Sequence, residues 1–373
     1  MKKIVFVTII SCLFLASCGG GKKQNSEESN QTAATAAATV DNDLKKERIS
    51  GSVDSLRQRL YWCLEKFGRM EKGKLQNWEQ HDFLKVFDND GFLTEEIHYT
   101  ADNKITSRRK ITYNNSHQLL AEEIFKGDDL TERTVYTYNA NNKLAAKEKF
   151  GKDEKLKEKI EYSYYEDSGL LMDEDWYKSD GTLSLKYVHL YEDNLLSERQ
   201  KYWGGGSLAQ KEYYVYDNNE NLIFYTSNKY QNKTLIFDKQ IRYSGYDKSG
   251  DYYEKMIFNE AGNENEKTTY VYDVSGYLTE YLNYEKKRYE PAETVTDETE
   301  NTDDEETETD EISVEETSSD LSAADEWWQI KSGEAYTYEN DDNGNWIQKI
   351  TYKINSENER TRQYYFERKY HYR

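Results

Sequence analysis
The sequence predicts an all-β protein, an open array of antiparallel β-hairpin repeats broken by one disordered acidic insertion. Three observations carry this expectation. The chain holds 34 Tyr and 7 Trp but a single Pro in 373 residues, a composition suited to long uninterrupted ladders, because aromatics fill pleated, half-buried surfaces and Pro removes a ladder donor. An aromatic residue followed by an acidic or amide residue recurs about every 26 positions. Within each recurrence the further apolar positions fall at even offsets, which puts them on one face of a strand. With 36% hydrophobic and 32% charged residues and a mean hydropathy of −1.06, a thick globular core and a multi-span membrane protein are both excluded.

Residues 1–17 read as a signal peptide. Lys2 and Lys3 precede an apolar run, Ile4 to Leu15, too short to cross a bilayer core of about 30 Å as a helix. The run ends in Leu15-Ala16-Ser17-Cys18-Gly19, which resembles the lipobox of bacterial lipoproteins. That resemblance implies cleavage before Cys18, a diacylglycerol on its thiol, and a place in the cell envelope at the outer membrane. Residues 18–42, rich in Gly, Asn, Gln, Ser, Thr and Ala, cannot bury enough surface to fold and read as a flexible tether. Of three cysteines Cys12 leaves with the signal peptide and Cys18 is lipidated, so Cys63 is left as the thiol, expected to be a packed side chain rather than a nucleophile.

The repeat occupies residues 43–289. Its anchors are Phe87, Tyr113, Tyr138, Tyr165, Tyr191, Tyr216, Tyr246 and Tyr272, and Tyr338 anchors a ninth, closing unit beyond it. Six residues beyond most anchors comes Leu93, Leu119, Leu144, Leu171, Leu222, Tyr252 or Leu278; Leu196 comes one early and Trp346 two late. A second aromatic, such as Tyr99, Phe125 or Tyr284, follows at about twelve. Between anchor and Leu lie Asp88-Asn89-Asp90-Gly91, Asp273-Val274-Ser275-Gly276 and similar runs, whose Gly and Asn tolerate positive φ. Each unit is therefore strand, tight turn, strand and second turn. Alternate positions carry Lys, Glu and Arg, expected to form a solvated face.

Tyr270-Val271-Tyr272-Asp273-Val274-Ser275-Gly276-Tyr277-Leu278 resembles the YD repeat of the RHS family, and Phe87 to Glu95 and Tyr338 to Trp346 match it too. The closing run is similar to that of short YD-repeat lipoproteins of Bacteroidetes. The resemblance implies a spiral of stacked hairpins, here in a short, open, non-toxin member. Asn114-Asn115-Ser116-His117 and Asn139-Ala140-Asn141-Asn142 lack the Asp and Gly, so those units follow the period rather than the motif.

Residues 290–326 hold 17 Asp and Glu and no Lys or Arg, hence 17 of the 21 net negative charges. Such a run self-repels and is expected to be a disordered loop, and its spacing is not that of a calcium-binding loop, so no metal is expected. Taking about 40 residues out of the last spacing restores the 26-residue register, which makes residues 327–373 a closing repeat.

Function follows only as a class. No basic stripe is present to displace phosphate counterions, so nucleic acid is excluded as a partner. The five histidines are scattered, and there is no nucleophile elbow, metalloprotease helix motif or phosphate loop, so no enzyme and no cofactor is expected. The expected role is a binding or adhesion module for a protein or glycan, with Trp176, Trp203, Trp327 and Trp328 as candidate contact residues because Trp is enriched at interfaces. The alternatives are a structural or assembly scaffold of the envelope and, with least support, a hydrolase.

Overall fold
The computed structural model describes residues 41–76, 78–231, 234–247, 250–288 and 326–373. Cys18, the tether up to residue 40 and residues 289–325 of the acidic run lie outside the described residues.

The turn chemistry explains why an Asp or Asn follows most anchors. After β3 (Phe83–Phe87) the Asp88 carboxylate accepts the amides of Asp90 at 3.0 Å and Phe92 at 2.9 Å, and Gly91 takes φ +84°. Asn114, Asn139, Asp217, Asp273 and Asp341 likewise accept from the amides two and four residues further on. Such Asx turns need the short carboxylate or amide side chain at that one place. Where the motif lacks Gly, His117, Asn142 and Glu220 occupy the same left-handed position at φ +56°, +59° and +64°. These units depart from the motif in side chain and not in backbone.

The spacing between anchor and Leu has a physical origin as well. The hydroxyls of Tyr113, Tyr138, Tyr246, Tyr272 and Tyr338 donate to the backbone carbonyls of Leu93, Leu119, Leu222, Tyr252 and Leu278, the plus-six residues of the preceding units. In the fourth unit the donor is Tyr164, to the Leu144 carbonyl at 2.8 Å, and not the expected anchor Tyr165. The turn between β9 (Leu156–Tyr164) and β10 (Leu171–Lys178) is one residue longer than that of the unit before it and absorbs the slip. In the fifth, Asp193 and Asn194 both have positive φ and make a two-residue hairpin turn, which is why Leu196 arrives early.

The all-β hairpin architecture is as expected, but the array is closed and not open. From β3 to β21 (Arg360–Tyr372) each strand pairs antiparallel with the next. The ring is completed by β1 (Val53–Lys66), which pairs with β21 from Val53↔Tyr372 to Trp62↔Tyr364 and with β3 over Ser55–Gln58. An antiparallel ring closes only with an even strand number, and β1 makes the nineteen consecutive strands twenty. Closure removes the two edges that would otherwise template aggregation. The C-terminal half of β1 forms a separate hairpin with β2 (Arg69–Leu75). β18 (Leu278–Arg288) and β19 (Glu326–Asn340) pair from Glu280↔Ala335 to Arg288↔Glu326, so the ladder is continuous across the acidic run.

One mouth holds the apolar core. Leu44 and Ile49 pack with Val53, Leu56, Phe83, Phe87, Leu93 and Ile111. Asn42 caps α1 (Asp43–Lys46) by accepting the Lys45 amide at 2.9 Å and donates to the Asp90 carbonyl at 2.6 Å. Arg48 ion-pairs with Asp251 at 2.5 Å and donates to the Gly276 carbonyl, and Ser50 exchanges two hydrogen bonds with the buried Asn345 side chain. The turns at Asp90 and Asp251 are eight strands apart by the shorter way round the ring. Twenty strands spaced by about 4.8 Å would make a circle at least about 30 Å across. The largely helical stretch from Asn42 to Arg48 spans only about 12 Å, so this mouth is pinched and strapped shut. The face on which Leu44 packs is therefore the lumenal one.

Candidate functional site
Cross-strand registers sort the side chains by face. Arg199, Glu212, Tyr214, Tyr225 and Ser227 share the lumenal face, where Glu212 accepts from Arg199, from Tyr214 at 3.0 Å and from Tyr225 at 2.9 Å. Burial alone would raise the Glu212 carboxyl; the hydrogen bonds from Arg199 and the two tyrosines more than offset it and hold it below the usual range. The outer face carries ion-pair ladders: Lys186 with Asp173 at 2.8 Å and Asp175 at 3.5 Å, Lys211 with Glu198 at 2.8 Å, and Lys267 with Glu254 at 3.3 Å. Several lumenal charges are paired in the same way, Arg109 with Glu122 at 2.9 Å and Lys149 with Glu132 at 2.9 Å, while Lys147 and Lys201 stand over the rings of Tyr136 and Tyr187.

Lys349 belongs with these ring-facing lysines. It lies on the lumenal face of β20 (Trp346–Ile354), opposite Phe366 of β21 and Tyr338 of β19. Its ammonium stands 4.0 Å over the Tyr336 ring and 5.7 Å from the rings of Tyr338 and Phe366, and among the described residues it makes no ion pair. Burial, and then the nearby Arg368 guanidinium, push it down to about 8, against a weaker upward pull from Glu334. The Glu334 carboxylate instead accepts the Tyr336 hydroxyl at 2.6 Å. Arg368 stacks 3.9 Å over Trp346 and donates to Gln58 at 3.0 Å.

This lysine forms part of the wall of a cleft of about 370 Å³ whose other side is the connection between β2 and β3. The Glu79–His81 turn brings Trp78 and His81 into the lumen. The Trp78 ring is 5.0 Å from Tyr364, which stacks at 5.0 Å on Trp62, and His81 meets Phe366 edge-on at 5.6 Å. Trp78 remains 43% exposed within the cleft lining, while Trp62, 44% exposed, lines a separate depression with Lys74, Gln76 and Asp102. Ser332, Thr351 and Gln363 add hydroxyl and amide groups to the lining. Burial, then repulsion by Lys349, pushes the His81 imidazole down, which keeps it neutral at pH 7.

The four tryptophans singled out from the sequence lie elsewhere. Trp176 and Trp203 flank Leu185 on the lumenal face, pairing with it from β10 and from β12 (Leu195–Trp203). Trp176 is half-buried, edge-on to Tyr187 at 6.4 Å, with its indole nitrogen lacking a partner. Trp203 is 53% exposed beneath the Lys201 ammonium at 5.1 Å. Trp327, exposed, and Trp328, half-buried under Lys286 at 5.4 Å, are consecutive on β19 and point to opposite faces. Sequence reasoning missed Trp62, Trp78 and Lys349. The available signal was that Trp78 stands outside the repeat register, in a connection where no ladder position asks for an aromatic.

A family model described only as an uncharacterised protein matches residues 85–194, less than half of the chain. No curated protein matches. Among solved structures, a TcdB2–TccC3–Cdc42 structure overlaps with a TM-score of 0.37 at 11% identity, over 80% of this chain and 16% of that one. A TcdB2–TccC3 structure gives 0.34 at 10% identity, over 81% and 17%. A porin-like protein from Bacteroides uniformis gives 0.30 at 8% identity, over 86% and 98%. The chain spans about a sixth of the length of the TcdB2–TccC3 chains. Overlaps this loose carry no conclusion about shared fold or role.

Proposed function
We propose that the chain is a lipid-anchored, non-enzymatic binding module of the cell envelope, of the short YD-repeat lipoprotein type. The observation that carries the binding reading is the aromatic-walled cleft with an unpaired ammonium, held on a closed and strapped ring. Preformed concave sites with apolar walls and few polar groups are the usual form of ligand sites. What favours binding over catalysis is the dispersal of reactive groups. His98, His117, His189 and His371 pair with carboxylates at four separate places in the ring, and burial pushes the Cys63 thiol up, away from the reactive thiolate.

The ring itself is not built to face lipid. Its outer ladder of Lys and acidic residues would cost about 2–4 kcal/mol for each Lys at a bilayer midplane. Membrane attachment is therefore assigned to the Cys18 lipid. Cys18→Ala should move the protein from the membrane fraction to the soluble fraction; unchanged membrane recovery and detergent partitioning would sink the anchor.

The second reading, a structural spacer of the envelope, draws on the same outer ladders, whose charges are already paired with one another. A glycan array and a pull-down with the intact chain separate the two. Saturable binding supports recognition, and clean negatives in both favour the spacer.

A further inference from the structure
We propose that the lumenal cleft between the Trp78–His81 connection and β18–β21 binds acidic saccharides, with the Lys349 ammonium taking a ring carboxylate and the Trp78 and Tyr364 rings packing against the sugar. This rests on the binding-module reading and names its ligand class.

Charge is the first argument. The protein is strongly acidic, and several lumenal cations are matched, as Arg199 is by Glu212 and Arg109 by Glu122; Lys147 and Lys201 stand over rings as Lys349 does, but burial holds Lys349 down and it lines the cleft. Lys349 and Lys353 both line the cleft and Arg368 lies close enough to depress Lys349, while the one lining carboxylate, Glu334, also accepts from Tyr336. The wall carries more positive than negative charge, and an anionic ligand offsets the excess. The aromatic cage around Lys349 is compatible with this, because ring faces hold an ammonium in place without neutralising it.

Shape is the second. The rings of Trp78 and Tyr364 both line the cleft, 5.0 Å apart and tilted by 54°, and Trp62 stacks on Tyr364 outside the lining. A volume of about 370 Å³ lies within the roughly 300–1,000 Å³ of small-molecule sites.

The polar lining decides between acidic sugars and flat apolar acids. Ser332, Thr351, Gln363 and Glu334 would lose water and gain nothing against an aromatic or fatty acid, and a buried polar group left without a partner is costly. Sugar hydroxyls, which both donate and accept, pair with all four.

The test uses the full-length chain in detergent and calorimetric titration with trigalacturonate, its methyl ester and neutral galactotriose. Trigalacturonate should bind saturably, with the ester and the neutral sugar at least tenfold weaker. K349M should cost at least tenfold, K349R should keep most of the affinity, and W78A should weaken the acid. The sign of the pH dependence follows from the Lys349 environment, which comprises Glu334, Tyr336 and Tyr338 on β19, Phe366 and Arg368 on β21, and His81. The ammonium is lost above about 8, so affinity should fall several-fold between pH 7 and 9.5 in the parent and stay level in K349R. Equal affinity for acid and ester, or an unaffected K349M, overturns the proposal. If K349M does not fold, a flat pH profile in the parent or an unaffected W78A overturns it instead. Neutral sugars binding as tightly as acidic ones, or ligands found only outside the cleft, would defeat this inference and leave the binding-module reading standing. Absence of any ligand in array, pull-down and titration would defeat both.

Discussion

The repeat is maintained at the scale of single hydroxyls. Five anchor tyrosines tie their turns to the neighbouring turn through the carbonyl of its plus-six residue, as Tyr338 does at 2.8 Å to Leu278. Burial pushes the Tyr338 phenol up, so the hydroxyl remains a donor across the working pH range. Tyr338→Phe keeps the packing against Trp346 and Tyr277 but loses the hydrogen bond to the Leu278 carbonyl. It should lower stability by about 1–2 kcal/mol in urea titrations. The 41% exposed Tyr253, changed to Phe, should stay within about 0.5 kcal/mol of the parent. An equal effect from both would mean that the hydrogen bond does not hold the turns together. Phe87 shows why the first anchor can lack a hydroxyl: it is 4% exposed and lies in the apolar core beneath α1.

At the scale of elements, β18 and β19 behave as an ordinary hairpin pair despite the length of chain between them. Their ladder runs to Arg288↔Glu326, the last described residue on one side and the first on the other. Loop closure cost grows only logarithmically with length, so a long connection between paired strands is tolerated. Joining Arg288 to Glu326 through Asn-Gly, a natural two-residue hairpin turn, should leave the thermal melt within about 1 kcal/mol of the parent. A loss beyond about 3 kcal/mol would show that the removed segment packs on the ring.

For the whole molecule, what was legible in the sequence was what is encoded locally. An Asx turn and a Tyr-to-Leu hydrogen bond repeat their residues with the period, and so the hairpins and their order could be read off. Ring closure could not, because it rests on β1 meeting β21, partners as far apart as Ser55 and His371, and nothing in the local pattern of either strand marks the other. The strap of residues 42–50 was read as the end of a tether and start of an array, since a four-residue helix leaves hardly any periodic signal. The cleft was hidden for a related reason. Lys349 looks like any other charged residue in an alternating strand, and only the fold reveals that its neighbours are rings and not carboxylates.

Ring closure is the claim on which strap, lumen and cleft all depend. Ser55 on β1 and His371 on β21 are cross-strand neighbours in it, within the reach of a disulfide between paired strands. The direct measurement is oxidation of a Ser55→Cys, His371→Cys double variant in a Cys63→Ser background, followed by peptide mapping. The account predicts rapid, near-complete cross-linking within one chain, an unchanged circular dichroism spectrum and a raised melting temperature. In an open array the two strands would sit at opposite ends of the sheet. Thiols that stay reduced, or that link only between chains, would contradict the closed ring.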